Sequence, residues 1–425
     1  MQNKIKPELL APAGDLEKLK IAVLYGADAV YIGGEAYSLR AKAKNFDKEA
    51  MAEGIRFAHE HGAKVYVTAN IFAHNADFEG MADYFKEIYE LGADAVLISD
   101  LGVFAVAREA APDLEIHVST QANNTNYQSA RMWYQLGARR VVVARELSLR
   151  EIREIREKIP ADMEIEAFVH GAMCISYSGR CLLSNYLSGR DANKGACAHP
   201  CRWKYHLVEE TRPGEYMPIE ENERGTYIYN SKDLCMIDHI PDLIDAGVVS
   251  LKIEGRMKTP FYVGTVIKAY RQAIDDYFED PAKYEQNREY YLDEVSKASH
   301  RDYTTAFYYG RPDGNQQVYT NNSYIRPYDF IGVVQEASDA EGYAWIEQRN
   351  KFSVGERIEI MKPDGEEIEV MPAKGPSFSM TVTEIYNEAG ESVESAPHPQ
   401  EKLRVKFSQP VQPFDMMRKF LSDTK

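Results

Sequence analysis

Along the first half of the chain one local event recurs, and it constrains the fold more than any other feature. An amphipathic helix stops at a glycine, and a short Val/Ile-rich strand begins within a few residues. The pattern reads Leu24-Tyr25-Gly26-Ala27-Asp28-Ala29-Val30-Tyr31-Ile32, then Gly62-Ala63-Lys64-Val65-Tyr66-Val67, then Leu91-Gly92-Ala93-Asp94-Ala95-Val96-Leu97-Ile98, with variants at Leu136-Gly137-Ala138 and Ala246-Gly247-Val248. Glycine suits this place because the residue after a helix end often takes the left-handed conformation, which costs a residue with a Cβ about 1 kcal/mol or more. Between these stops Phe78, Met81, Phe85 and Ile88 share one helical face, and Asp15 is placed to cap a helix carrying Leu16, Leu19 and Val23.

Strands are predicted at Glu8–Ala11, Ala29–Ile32, Val65–Ala69, Ala95–Ile98, Ile116–Ser119, Val141–Ala144, Ile165–Val169 and Ser250–Ile253. Eight apolar strands alternating with helices predict an α/β fold, a TIM-like (β/α)8 barrel, with a doubly wound open sheet as the lesser alternative. No Gly-x-Gly-x-x-Gly follows the first strand, so the dinucleotide-binding form of that alternative loses its main support. An insertion of about eighty residues, 171–249, separates the seventh strand from the eighth and holds all five cysteines. The predicted organisation is a barrel over residues 1–280 including that Cys-rich insertion, a helical connector over 281–320 and a small β-barrel domain over 321–425. The last is read from Ile331–Val334, Tyr343–Ile346, Arg357–Ile360, Ile368–Val370, Met380–Val382 and Leu403–Val405, separated by turns such as Pro363-Asp364-Gly365.

In a barrel of this kind the reacting groups stand where strands end. The predicted ends carry Asn70, Asp100, Ser119-Thr120-Gln121, Arg145-Glu146, His170 and Lys252-Ile253-Glu254-Gly255-Arg256. Each alone reads as a loop cap or a solvated charge, but together they make a polar mouth. His170, Glu254 and Asn70 are the candidate reacting groups. Arg145, Arg180, Arg202, Lys252, Arg256 and Gln121 are the candidate substrate-binding groups.

Fifty Lys/Arg against 66 Asp/Glu leave a net charge of −16, so nucleic acid can be met only at a local basic patch. One weak excess exists: residues 401–425 hold six Lys/Arg against three Asp/Glu. No run approaches the roughly 18 apolar residues of a membrane span, and the first residues lack the apolar stretch of a signal peptide, which predicts a cytoplasmic chain with no membrane partner. In a reducing compartment clustered cysteines point to metal. Cys174, Cys181, Cys197 and Cys201 are spaced C-x6-C-x15-C-x3-C, with Cys235 thirty-four residues further on. No pair forms the C-x-x-C knuckle of structural zinc sites, which tilts the reading towards an iron–sulfur cluster over zinc, with ordinary buried or reactive thiols as the remaining reading.

The run Glu166-Ala167-Phe168-Val169-His170-Gly171-Ala172-Met173-Cys174, continued by Ser178-Gly179-Arg180-Cys181, resembles the signature of the collagenase-like peptidases of family U32. So do Asn185-Tyr186-Leu187, Gly189-Arg190-Asp191, Pro200-Cys201-Arg202-Trp203, Asn230-Ser231-Lys232-Asp233-Leu234, Ser250–Arg256 and the opening Glu8–Gly14. The resemblance is strong over about residues 5–280, and the C-terminal segment resembles the small barrel of some members.

Despite the family's name, members include proteins of prephenate-dependent tRNA uridine hydroxylation, of rRNA cytidine hydroxylation and of oxygen-independent ubiquinone hydroxylation. Several carry a four-iron, four-sulfur cluster, and this chain is most similar to the tRNA type. The resemblance implies an enzyme that hydroxylates the wobble uridine at ring carbon five, with tRNA and prephenate as partners and a paralogous subunit or a second copy as a further one. It implies Cys174, Cys181 and Cys197 as ligands, with either Cys201 or Cys235 as the fourth. Prephenate is a dicarboxylate, for which Arg145, Arg180, Arg202 and Arg256 are candidate clamps. A peptidase is the rival reading, yet there is no Gly-x-Ser-x-Gly, and His59-Glu60-His61 lacks the spacing of His-Glu-x-x-His. A His170–Cys174 dyad is its best residue pair, and a non-catalytic RNA-binding scaffold is a third reading.

Overall fold

The computed structural model describes residues 4–38, 45–174, 176–177, 180–190, 192, 196–202, 232–310, 324–363 and 377–421. Strands β1 (Glu8–Pro12), β2 (Ala29–Gly33), β3 (Lys64–Ala69), β4 (Ala95–Ile98), β5 (Glu115–Val118), β6 (Arg140–Val142), β7 (Glu164–Ala172) and β9 (Ser250–Ile253) pair in parallel as a ring. Closure runs β7 to β9 and β9 to β1. The eight-stranded barrel is therefore present. An additional strand, β8 (Asp233–Cys235), lies within the insertion and pairs antiparallel with the end of β7, with β10 (Tyr303–Thr304) beside it.

The recurring glycines do what their position suggests. Gly26 and Gly137 follow their helices at φ 105° and 104°, and Gly62, Gly92 and Gly247 are also left-handed. Asp15 accepts the Lys18 N–H at 3.0 Å, while Met81, Phe85 and Ile88 form the buried face of helix Met81–Glu90.

The barrel centre departs from the usual layers of Val, Ile and Leu. Glu8, Tyr66, Arg140, Glu166, Ser250 and Lys252 form one polar network. Arg140 Nη1 meets Glu8 at 2.6 Å and Glu166 at 3.0 Å, Lys252 Nζ meets Glu166 at 2.6 Å, and Tyr66 OH donates to Glu8 at 2.5 Å. Burial opposes charge on Glu166, but Lys252 and Arg140 outweigh it and hold its carboxyl below the usual range. His117 packs edge-on to Tyr66, and burial pulls its pKa down to about 3, so the ring is neutral.

Helix Pro260–Glu279 closes the barrel and is also covered by the second domain. Phe261 stacks on Phe330 at 5.6 Å, Lys268 Nζ donates to the Lys362 carbonyl at 2.7 Å, and a Cβ on Gly264 would strike Met416. Phe330, Val333, Met361 and Met416 belong to the same apolar cluster as the barrel core. Helix Pro281–Lys297 packs alongside.

In the C-terminal domain seven antiparallel strands run in the order Phe378–Thr381, Arg357–Met361, Met416–Phe420, Tyr328–Val334, Tyr343–Gln348, Lys402–Lys406, Ile385–Tyr386. The two edge strands are consecutive in the chain, which forces the sheet to roll into a barrel-like half-closure. The expected strand Ile368–Val370 lies outside the described residues. Of the five described basic residues in 401–425, acids from elsewhere in the chain meet four, and Lys402 alone of these stands exposed without such a partner among the described residues. Arg404 pairs with Asp339, Lys406 with Glu384, Arg418 with Glu294 and Glu359, and Lys419 with Glu356. Among the described residues no helix is long and apolar enough to cross a membrane.

Candidate functional site

Where the barrel strands end, a cavity of about 640 Å³ opens, the size of a small-molecule site. Strand ends supply its floor: Tyr31 from β2, Thr68 and Asn70 at β3, Ser119 and Gln121 after β5, Phe168 from β7, Lys252 and Glu254 at β9. Asn70 Nδ2 donates to Ser119 Oγ at 3.0 Å. Gln121 is 8% exposed and its Oε1 has no hydrogen-bond partner among the described residues, so it presents an acceptor to a ligand.

Four of the five cysteines, Cys174, Cys181, Cys197 and Cys201, line this same cavity. Their loop is braced from behind. Arg190 donates to the carbonyls of Ala196 and Cys197 at 2.9 and 3.1 Å, and Ser184 Oγ accepts the Ala198 N–H. The His199 N–H donates to Cys197 Sγ at 3.3 Å, the kind of bond that stabilises thiolates around iron–sulfur centres. Cys235 stands apart on β8, where burial pushes its thiol up to about 12 against a hydrogen bond to Tyr270. Among the described residues no three His, Cys, Asp or Glu side chains are arranged to hold a single metal ion. Four thiols around one cavity are a donor set of the kind that holds an iron–sulfur cluster.

Five cations face the cavity, Arg145, Lys252, Arg256, Lys258 and Arg301, against a single carboxylate among the described lining, Glu254. In a chain of net charge −16 this concentration is local. Burial opposes charge on Arg145, yet Cys174, Glu254 and Glu146 hold it firmly protonated, and its Nη1 donates to the Ala172 carbonyl at 3.0 Å. Lys252 rests over Tyr31 at 4.4 Å with Glu166 as its counter-ion. Arg256 is 4% exposed; its Nη1 donates to Ser38 Oγ at 2.8 Å and Thr68 Oγ1 at 3.1 Å, and its Nη2 to Asn45 Oδ1 at 3.0 Å. Gly33 makes room for this guanidinium, since a Cβ there would overlap it.

The structure thus brings Asn70, Glu254, Gln121, Arg145, Lys252, Arg256 and four cysteines to one cavity. It does not bring His170. Phe168 is opposite Lys252 but His170 is opposite Ile253, so β7 spends an extra residue against β9 and the bulge turns His170 outwards. There its ring lies among Tyr262, Tyr270 and Tyr303 at 6.0, 5.5 and 5.5 Å, and burial pulls its pKa down to about 3. The dyad with Cys174 is therefore separated: Cys174 lines the cavity while His170 faces the outer helices. Arg180 is exposed, lies over Phe72 at 4.9 Å and is not among the lining residues. Arg202 ends the turn Pro200–Arg202, and its side chain lies outside the described residues. Lys258, Arg301 and Tyr324 line the cavity without having been singled out by motif, because they sit in connecting segments where a cation normally meets only water.

Two family descriptions match the chain, "Peptidase family U32" over residues 14–318 and "Peptidase family U32 C-terminal domain" over residues 326–418. Among curated relatives, tRNA hydroxylation protein P1 of Bacillus subtilis is 43% identical over 414 residues, covering 97% of this chain and 95% of the relative. The Escherichia coli tRNA hydroxylation protein P is 39% identical, covering 92% of each. The Escherichia coli 23S rRNA 5-hydroxycytidine C2501 synthase is 37% identical over 71% of this chain but only 45% of its own length.

Proposed function

Because the chain belongs to peptidase family U32, and its barrel mouth joins four cysteines to five cations, we propose that it is an RNA-modifying iron–sulfur enzyme. Its reaction is hydroxylation of the tRNA wobble uridine at ring carbon five, with prephenate as the required small molecule. The observation that carries this reading is the shared cavity: thiols suited to a cluster and cations suited to a dicarboxylate line one space. Relatives that match over nearly the full length are tRNA hydroxylation proteins, which favours tRNA over rRNA.

The cluster is proposed on Cys174, Cys181, Cys197 and Cys201. Cys235 is the poorer fourth ligand, because it is buried on β8 and is not among the residues that line the cavity with the other four. When bound, such a cluster supplies electron transfer at a potential set by its surroundings. The chain's own residues bind and orient. The guanidinium forks of Arg145 and Arg256 match carboxylates, with Arg256 prealigned by Ser38, Thr68 and Asn45. Lys252 adds a fixed positive charge, and Gln121 and Asn70 offer neutral hydrogen bonds for an uncharged base edge. The side chain of Glu254, the lone carboxylate of the lining, is placed to accept a proton released in the cavity.

Nucleoside mass spectrometry of tRNA from an anaerobic deletion strain, also lacking any paralogue, tests the reading. Hydroxyuridine-derived wobble nucleosides should fall, and blocking prephenate synthesis should give the same loss with no further loss in the combined strain. Unchanged hydroxyuridine derivatives would refute it and bring rRNA and quinone substrates forward.

A further inference from the structure

At the rim of the cavity two cations share one aromatic ring. Lys258 Nζ lies 4.4 Å from the Tyr324 ring centroid and the Arg301 guanidinium carbon 4.9 Å, and all three line the cavity. They come from three stretches of chain: the loop after β9, the turn after helix Pro281–Lys297, and the lead-in to the C-terminal domain. The backbone fixes their meeting, because His300 and Ile325 exchange two main-chain hydrogen bonds at 3.1 and 2.8 Å and thereby set Arg301 beside Tyr324. Lys258 is held too, its ammonium 4.9 Å from the Tyr262 ring.

Sharing one ring keeps the ammonium and the guanidinium within about 9 Å of each other, about one Debye length at physiological salt, so they act as a single dication. The tyrosine face offsets part of their repulsion. Asp233 is engaged by the Arg301 main-chain N–H at 3.2 Å. Solvent reaches this group through Tyr324 and the adjoining Met257, 38% and 50% exposed, with Lys258 half-buried beside them, while Arg301 is itself 4% exposed, as buried as Lys252 and Arg256 at 3% and 4%. An anion arriving from solvent therefore meets Lys258 and the Tyr324 ring first, with the buried Arg301 adding its charge to theirs.

Resting on the reading of the protein as an RNA hydroxylase, we propose that Lys258, Arg301 and Tyr324 form a phosphodiester clamp, gripping the RNA backbone beside the nucleotide whose base enters the cavity. The floor cations are then left to the carboxylates of the small co-substrate. Since the chain as a whole repels polyanions, a dication at the mouth also sets where RNA lands.

The test is fluorescence anisotropy of an unmodified anticodon stem–loop binding to anaerobic holoprotein across a salt series, alongside calorimetry with prephenate. Lys258→Gln should weaken RNA binding about 5- to 10-fold at low salt and reduce the salt slope by about one, while Lys258→Arg retains the wild-type slope. Tyr324→Leu, which leaves both charges, should weaken RNA binding by a smaller factor and keep the slope. Wild-type protein with no salt-dependent RNA binding would overturn the functional reading itself. Wild-type protein that binds RNA while Lys258→Gln keeps the full slope, or loses prephenate affinity instead, overturns the clamp alone.

Discussion

Glu166→Gln separates charge from shape at the centre of the barrel. The side chain is 0% exposed and accepts from Lys252 Nζ at 2.6 Å, Arg140 Nη1 at 3.0 Å and Ser250 Oγ at 3.3 Å. Arg140 retains Glu8 at 2.6 Å and Glu164 at 2.7 Å, so most of the loss falls on Lys252, which keeps the faces of Tyr31 and Phe168. Removing one member of a buried ion pair costs about 3–5 kcal/mol, and the glutamine oxygen returns about 1 kcal/mol by accepting a hydrogen bond. The expected loss is therefore about 2–4 kcal/mol, read from urea denaturation at neutral pH. Glu166→Gln/Lys252→Met should recover most of it, because no charge is then left without its counter-ion. The pH sign follows from the depressed carboxyl: its contribution is present above the unfolded pKa, about 4.3, and is lost as pH falls through the lower folded value. Glu166→Gln should flatten that acid limb. A single variant within about 0.5 kcal/mol of wild type, or a double variant whose losses simply add, would refute the reasoning.

Replacing Cys174, Cys181, Cys197 or Cys201 by Ser should abolish the brown colour and the iron and acid-labile sulfide of anaerobic protein, about four of each per chain, while Cys235→Ser keeps them. A colourless Cys235→Ser protein, or stoichiometric zinc in the wild type, would show that assignment to be wrong. Gly33→Ala places a Cβ against the Arg256 guanidinium and the Ser38 hydroxyl, so prephenate affinity should drop about tenfold by calorimetry with the cluster spectrum unchanged. Asp415 is buried, which pushes its carboxyl up to about 7 despite the Gln412 N–H and Lys362. Its proton is held more tightly folded than unfolded, so stability should decline between about pH 4 and 7 by at most about 1.4 kcal/mol per pH unit, and Asp415→Asn should remove that slope.

The barrel was legible because each helix–glycine–strand step is a local instruction repeated with little variation. The sixth strand, read as Val141–Ala144, forms at Arg140–Val142, a shift within the ordinary uncertainty of strand ends. What escaped was non-local. Simple alternation along β7 puts His170 on the same face as Phe168, and only the register against β9 reveals the bulge that reverses it. Glu8, Arg140 and Glu166 are far apart in the chain and each reads as the polar start or flank of a strand, so their convergence has no local signature. Lys258, Arg301 and Tyr324 meet only once the connector has folded back over the mouth. The C-terminal basic excess failed for the opposite reason, since a count of charges ignores the partners that neutralise them.

Helix Pro260–Glu279 serves two masters, the barrel on one side and the rolled sheet on the other. A substitution on it must satisfy both neighbours at once, which leaves few acceptable residues and ties the histories of the two domains together. Exchanging the C-terminal domain between lineages would therefore demand matched changes at Phe261, Gly264 and Lys268. A barrel that has never carried the second domain should show polar residues on the corresponding face.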